Sequence, residues 1–316
     1  MGTDSDSTQR KTGEAVAGHR CGQVTIVGPP NAGKSTLLNR LVGEALSIVT
    51  PVPQTTRHRI LGVLQRPGAQ VALVDTPGFH LPRTAMNRLM IEALDAALEG
   101  ADLFLLLVSA AGRHTPQSRF GPPVAQLLER LRRVGKPIVL APTKIDVVQP
   151  KELLLPLMDF ATRLFDPVAV VPISPLTGDG VEELVGTVIP LLPESPPLWA
   201  PDDLTDRPLR FLAAERIREA LTLETREEVP HALAVVIETW EESPRATSIQ
   251  ALIVVDRPAH KKIVVGRGGA MVKQVGIRAR ASLAELLGRP VHLKLFVQVQ
   301  DGWTRDPTRV RELTGQ

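Results

Sequence analysis

The stretch Gly28-Pro29-Pro30-Asn31-Ala32-Gly33-Lys34-Ser35 decides how the first half of the chain is read. It matches G-x-x-x-x-G-K-[S/T], directly after the apolar run QVTIVG and directly before the helical pattern STLLNRLVG. Two glycines let the backbone wrap so that its N–H groups point at phosphate oxygens, and the helix N-terminus adds partial positive charge. The spacing predicts a phosphate cradle from Gly28, Pro29, Pro30, Asn31, Ala32 and Gly33. Lys34 is expected to bridge the β- and γ-phosphates, and the Ser35 hydroxyl, with Thr36 beside it, to take a place on Mg2+. A nucleoside triphosphate is implied, and the base is left open.

Outward from this loop, QVALVDTPG, LFLLLVSA, PIVLAPTKID and VAVVPIS read as further buried strands up to about Leu192. Helical patterns such as TAMNRLMIEALDAAL and VAQLLERLRRVG lie between several of them. Strand–helix alternation with all-apolar strands predicts an α/β domain, its mostly parallel sheet covered on both faces and its ligand at the carboxyl ends of the strands. Asp75-Thr76-Pro77-Gly78 follows one strand: Asp75 is expected to hold Mg2+ through a water, and the Gly78 N–H to meet the γ-phosphate. The polar stretch PVPQTTRHRI before it reads as a loop free to order and disorder. Either Thr55 or Thr56 offers a hydroxyl to Mg2+ there when the γ-phosphate is present, and Thr56 is the choice.

Thr143-Lys144-Ile145-Asp146 ends another strand. A carboxylate at Asp146 accepts from both N1–H and N2–H2 of guanine, and adenine has no second donor to offer it; such a site rejects the wrong base by about 10⁴-fold. Lys144 is expected along the base, and Ser174 to hold the Asp146 loop and present its backbone N–H to the base oxygen. Four short motifs in order, each after its own strand, read as a GTP site. Phe79 then stands where many GTPases carry a glutamine that orients the attacking water. Lacking donor and acceptor, it implies slow intrinsic hydrolysis raised by a partner or ion, and Phe79→Gln should leave turnover unchanged. A packing role for Phe79 stands beside that reading.

The chain of 316 residues is long enough for two domains. Six prolines between Pro190 and Pro208 mark a semi-rigid joint. The expected organisation is a tail (1–19, polar and flexible), a nucleotide domain (20–192), a proline-rich linker (193–208), an RNA-binding domain (209–304) and a C-terminal tail (305–316). The second domain reads helix, strand, strand, short helix, glycine turn, helix, strand, with its helices on one face of a three-stranded sheet. Its turn is Gly266-Arg267-Gly268-Gly269, a G-x-x-G between helices that lets a nucleic-acid backbone come close. Around it Arg257, Lys261, Lys262, Arg267, Lys273, Arg278, Arg280, Arg289 and Lys294 face only one acid, Glu285, in a chain whose net charge is +3. That patch fits a phosphate backbone; a solvated basic helix with a tight turn is the bland alternative. Aromatic residues are scarce there, so a backbone clamp is expected over stacking.

These residues resemble the Era family of bacterial ribosome-assembly GTPases, along nearly the whole length after the tail. The resemblance rests on GPPNAGKSTLLNRLVG, PQTTRHRI, DTPGFH followed by NRLM, TDRPLRF with AAERIREAL, KKIVVGRGGAMVKQVGIRAR, and VHLKLFVQV followed by DGW. It implies a Ras-like P-loop GTPase domain followed by a smaller α+β, type II KH domain. Its implied partners are GTP and GDP, and the 3′ end of 16S rRNA within the 30S subunit, with RNA and not DNA bound. It also implies a cytoplasmic location with some peripheral membrane association. In the wider class an asparagine placed like Asn31 helps hold a monovalent cation, which implies potassium beside Mg2+. Thr143 stands where the family has Asn, and Pro175 where it has Ala, so nucleotide affinity is expected to be weaker with the base unchanged.

Cys21, alone of its kind, suits a reducing compartment and reads as a packed residue. No window reaches the roughly 18 apolar residues of a membrane helix. The expectation is a soluble, intracellular protein. Three alternatives are an RNA-binding protein whose nucleotide site only senses occupancy, a P-loop kinase or ATPase, and a membrane-anchored signalling GTPase. The complete phosphate motifs, Asp146 and the lack of an anchor argue against them in turn.

Overall fold

Alternate residues of the all-apolar strands must face opposite ways, and the fold follows from that. The structure is a computed structural model describing residues 18–79, 84–112 and 114–315. The expected N-terminal tail lies outside these except for Gly18 and His19. A six-stranded sheet comprises β1 (Arg20–Val27), β2 (Ile60–Arg66), β3 (Ala69–Asp75), β4 (Leu103–Ser109), β5 (Ile138–Thr143) and β6 (Ala169–Val170). Its order is β2-β3-β1-β4-β5-β6, parallel except for the antiparallel β2–β3 hairpin.

Along β4, Leu103, Leu105 and Leu107 join one core with α1 (Lys34–Val42) and α6 (Val181–Val188). Phe104, Leu106 and Val108 join the other, with α2 (Ala85–Glu99), α4 (Pro122–Val134) and α5 (Leu155–Phe165), the short α3 (Pro116–Arg119) lying between α2 and α4 in sequence. β2 has no counterpart in the expected strand list; its apolar ILGVLQR runs straight out of the polar loop before it. VAVVPIS makes only a two-residue ladder, although the Val171 and Ile173 N–H groups still donate to Leu140 and Pro142 of β5. Phe79 is buried in the second core with the Arg130 guanidinium 5.6 Å from its ring centre. It packs there, so Phe79→Gln would bury an amide among apolar side chains, and the test proposed for it would report stability.

The proline-rich joint is strapped down. The Leu198 and Trp199 N–H groups donate to the buried Gln70 side chain, which returns a bond to Trp199 O, and Val63 N–H donates to Leu204 O. The second unit comprises α7 (Leu209–Glu224), β7 (Leu233–Glu242), β8 (Thr247–Val255), α8 (Pro258–Val265), α9 (Ala270–Leu287), β9 (Val291–Val299) and α10 (Pro307–Thr314). Its sheet runs β7-β8-β9, antiparallel then parallel. One sheet face packs on α7, α8 and α9. The other carries Ala234 and Val254 against Met86, Leu89 and Met90 of α2, with Trp303 and Val310. Residues 305–316, expected as a tail, thus include a helix whose Val310 is fully buried. Asp306 caps it, its carboxylate accepting from the Thr308 and Arg309 N–H groups.

Candidate nucleotide and nucleic-acid sites

The carboxyl ends of β1, β3 and β5 meet around a cleft of about 470 Å3, lined among others by Asn31, Lys34, Ser35, Thr56, Gly78 and Lys144. Gly28 makes the turn with φ +148°, and a Cβ there would lie 2.3 Å from the Leu107 carbonyl. No other residue fits. Phe79 N–H donates to Gly28 O, and a Cβ on Gly78 would meet the Pro30 backbone at 2.9 Å, so the two phosphate-facing loops touch. Thr76 ties the second loop to β1 through Ile26 O, with Pro77 between it and Gly78.

At the expected metal side, Ser35 Oγ donates to Asp75 Oδ2 at 2.6 Å and lies 2.9 Å from Thr56 Oγ1. Thr55 turns elsewhere, toward Thr50 and the Val52 carbonyl. Ser47 Oγ also donates to Asp75 Oδ2, a contact with no signature in the sequence. Asp75 Oδ1 is buried without a partner among the described residues, and burial pushes the carboxyl up against the lowering effect of Lys34, Ser35, Ser47 and the Thr76 backbone. An orphaned carboxylate oxygen beside two hydroxyls is a hard oxygen set that fits Mg2+ and its waters.

Lys34 is buried, its Nζ donating to the Gly28 and Pro29 carbonyls. Desolvation, opposed by Asp75, brings it down to about 8. A phosphate stabilises the ammonium and raises that value, so nucleotide binding takes up a proton at pH above 8. Affinity for GDP should be flat below pH 8 and down about tenfold at pH 9. A titration across pH 7–9 with no fall would contradict a buried, phosphate-facing ammonium.

On the base side, Ser174 Oγ donates to Asp146 Oδ1 at 2.6 Å. The expectation that the Ser174 N–H serves the base oxygen is corrected: it donates to Asp179 O at 2.8 Å. Pro175 has no N–H to offer, which leaves the Leu176 N–H as the next donor along the loop. The Thr143 hydroxyl, fully buried, donates to the Ala32 carbonyl at 2.8 Å and so braces the phosphate loop itself. Thr143→Val keeps the volume and strands that carbonyl. The melting temperature should fall by an amount equivalent to about 1–3 kcal/mol, with GDP affinity falling alongside, and an unchanged melting curve would remove the brace.

In the second unit, Gly266 has φ +74°, and a Cβ there would sit 2.6 Å from Met271 Cβ and 2.8 Å from its N. The Gly269 N–H closes the turn on Gly266 O. Lys261, Lys262, Arg267, Lys273 and Arg280 are exposed, with no ion pair among the described residues. Val275, Ala279 and Leu283 mark the inner face of α9, so Lys273, Ile277 and Arg280, at i, i+4 and i+7, share an outer stripe. Arg278 does not join them: it pairs with Glu224 of α7 at 2.8 Å. Arg257 and Arg289 lie within 3.8 Å of Asp256 and Glu242 respectively. Exposed Ile263, Ile277 and Phe296 add apolar surface to this domain that the count of aromatics understated.

Comparison with known proteins agrees with both units. A family of 50S ribosome-binding GTPases matches residues 23–144, and the KH domain family matches residues 228–304. The chain is 41% identical to GTPase Era of Nitratidesulfovibrio vulgaris and 44% identical to GTPase Era of Stenotrophomonas maltophilia. In each case 93% of this chain is covered, with 97% and 96% of the relative. It also superposes with a TM-score of 0.88 on a crystal structure of Era in complex with MgGDPNP and nucleotides 1506–1542 of 16S ribosomal RNA. That match has 39% identity over 93% of this chain and 98% of the other. A structure of a variant of Aquifex aeolicus Era bound to GDP·AlF4− matches equally well, at TM-score 0.88.

Proposed function

Because the chain belongs to the Era family of GTPases, we propose that it hydrolyses GTP in the 28–78 cleft and binds the 3′ end of 16S rRNA at the Gly266–Gly269 turn, acting in assembly of the small ribosomal subunit. The observation that carries this reading is the likeness, across both units, to an Era structure that holds a GTP analogue and 16S nucleotides together. Gly28 to Thr36 would cradle the phosphates, with Lys34 swinging from its carbonyl partners to them. Ser35 would hold Mg2+ directly, joined by Thr56 when the γ-phosphate is present, and Asp75 through a water; the ion would neutralise charge on the phosphate oxygens. Lys144, Asp146 and Leu176 would take the guanine, and Gly78 would sense the γ-phosphate.

Asn31 Nδ2 donates to Pro51 O, leaving its amide oxygen as the donor that a potassium ion would use. The cytoplasmic location and peripheral membrane contact rest on the family resemblance. Among the described residues no helix is long and apolar enough to cross a membrane. Proposed domain limits keep 20–192 and 209–304 as the folded units, with the helix Pro307–Thr314 added to the second.

The experiment is RNA binding by the protein loaded with GDPNP, using a 16S 3′-end oligonucleotide against a scrambled one. Strong preference for the ribosomal sequence is the expected result; equal binding would leave the second domain a nonspecific basic surface. Repeating it with GDP tests coupling, for which a changed RNA affinity is expected.

A further inference from the structure

The loop carrying Thr56 was expected to move freely, yet residues on both sides of it are held by the RNA-binding domain. Arg216 of α7 donates to the Ala45 carbonyl, and the Glu219 carboxylate accepts from Val49 N–H at 2.9 Å. Arg57, one residue past Thr56, donates to the Leu233 and Pro230 carbonyls at 2.7 and 2.8 Å. His58 packs edge-on to Phe211 of α7 at 5.1 Å. The central contact is Arg218, whose Nη2 donates to the Thr55 carbonyl at 2.8 Å.

Arg218 is only 4% exposed and is fixed from behind. Its Nε and Nη2 meet the two carboxylate oxygens of Glu215 at 2.7 and 2.6 Å, and Glu215 is 5% exposed. A planar guanidinium held in a two-point fork has the directions of its other N–H groups fixed as well. Its target is the peptide bond joining Thr55 to Thr56. The Thr56 hydroxyl, on the far side of that bond, lies 2.9 Å from Ser35 Oγ. A buried ion pair is weak evidence for stability by itself, so one whose second Nη2 hydrogen reads a single backbone carbonyl calls for another reason.

We propose that Arg218, a residue of the RNA-binding domain, is a positioning residue of the GTPase site: it holds the Thr55 carbonyl so that the Thr56 hydroxyl stands at the metal and γ-phosphate position. The proposal rests on the reading of Thr56 given above. It makes the completed nucleotide site a product of both domains, and it puts the docked position of α7 under the control of the triphosphate. By reciprocity, whatever draws α7 from the loop lowers affinity for the triphosphate by the same factor.

The test uses the full chain and two ligands, GDP and GDPNP, with Mg2+ present. Arg218→Ala strands the buried Glu215 carboxylate, so the principal variant is Arg218→Met with Glu215→Gln, which removes both charges at similar volume. Its GDPNP affinity should fall about tenfold, the scale of a hydrogen bond from a charged group, with GDP affinity unchanged. Thr56→Ala should show the same selective loss, and the triple variant should lose no more than either. A merely structural role would move both ligands together or lower the melting temperature alone, and either result overturns the proposal. If Thr56→Ala is selective and the Arg218 variant is not, the assignment of Arg218 fails while that of Thr56 stands. If Thr56→Ala keeps its full preference for GDPNP, the reading of Thr56 fails and the route through it goes with it.

Discussion

Replacing Asp146 by asparagine should lower affinity for GTP by about 10³- to 10⁴-fold and raise affinity for XTP. One carboxylate oxygen is already committed, accepting from Ser174 Oγ at 2.6 Å. That bond fixes the side-chain plane, so the second oxygen and the carboxylate edge are set for the base. Guanine offers two adjacent donors, N1–H and the N2 amine, and a carboxylate accepts from both. An asparagine in the same pose turns one acceptor into an N–H2 donor facing the guanine amine, leaving two donors opposed. Xanthine has an oxygen in place of that amine and accepts from the new group. Competition of GTP, XTP and ATP against a labelled guanine nucleotide reads the outcome directly. If the variant keeps its GTP affinity, the Thr143–Asp146 segment is a surface Lys–Asp turn and the base is read elsewhere. If it loses GTP without gaining XTP, Asp146 acts by holding the loop, since the Ser174 hydroxyl would then have lost its anion.

This site was largely legible because its chemistry is local. Phosphate cradles need glycine at fixed offsets, and the strand–loop–helix context around Gly28 is written in consecutive residues. The parts that were not legible depend on what packs against what. Leu61, Leu64 and their neighbours in β2 have the apolar content of a strand, and Pro67-Gly68 is a turn signal before β3. The polar threonine and arginine run leading into them disguised the hairpin. Arg278 carries the same charge as Lys273 and Arg280, and only the α9 angular position against Glu224 separates it from them. The helix TAMNRLMIEALDAAL reads as amphipathic, but periodicity shows which residues face inward and not which body they face. In the fold, Leu94 and Leu98 enter the core of the nucleotide domain while Met86, Leu89 and Met90 enter the sheet of the other. Arg57 and Arg218 carry full charges in a polar loop and a helix, with nothing local to mark them as core, and both are buried between the domains. Thr143 is a further case: its place at the end of a strand gives no sign that its hydroxyl reaches the Ala32 carbonyl of the phosphate loop.

Reversing charge at the glycine turn of the second domain should have the other large effect. Arg267→Asp together with Gly268→Asp is expected to lower RNA affinity on the order of 100-fold or more at moderate salt, through one lost phosphate contact and two new repulsions. The turn has room for the change, at a modest cost in backbone strain at Gly268. Gly268 has φ +59°, a conformation that Asp adopts more readily than most residues, and nothing lies within 4 Å of a Cβ built there. Arg267 is exposed and makes no ion pair among the described residues. Gly266 is the position to leave alone, since its Cβ would strike the Met271 backbone and unfold the turn. The double variant should therefore melt only slightly below the parent chain and bind GDP as well as it does, which separates a recognition defect from a folding defect. Its RNA affinity should also fall less steeply with added salt, because fewer counterions are released. RNA binding that survives both aspartates would move recognition away from the turn, to the Lys273–Ile277–Arg280 stripe of α9. An affinity lost in parallel with the melting temperature would mean that the turn holds the two helices together and does not clamp a phosphate backbone.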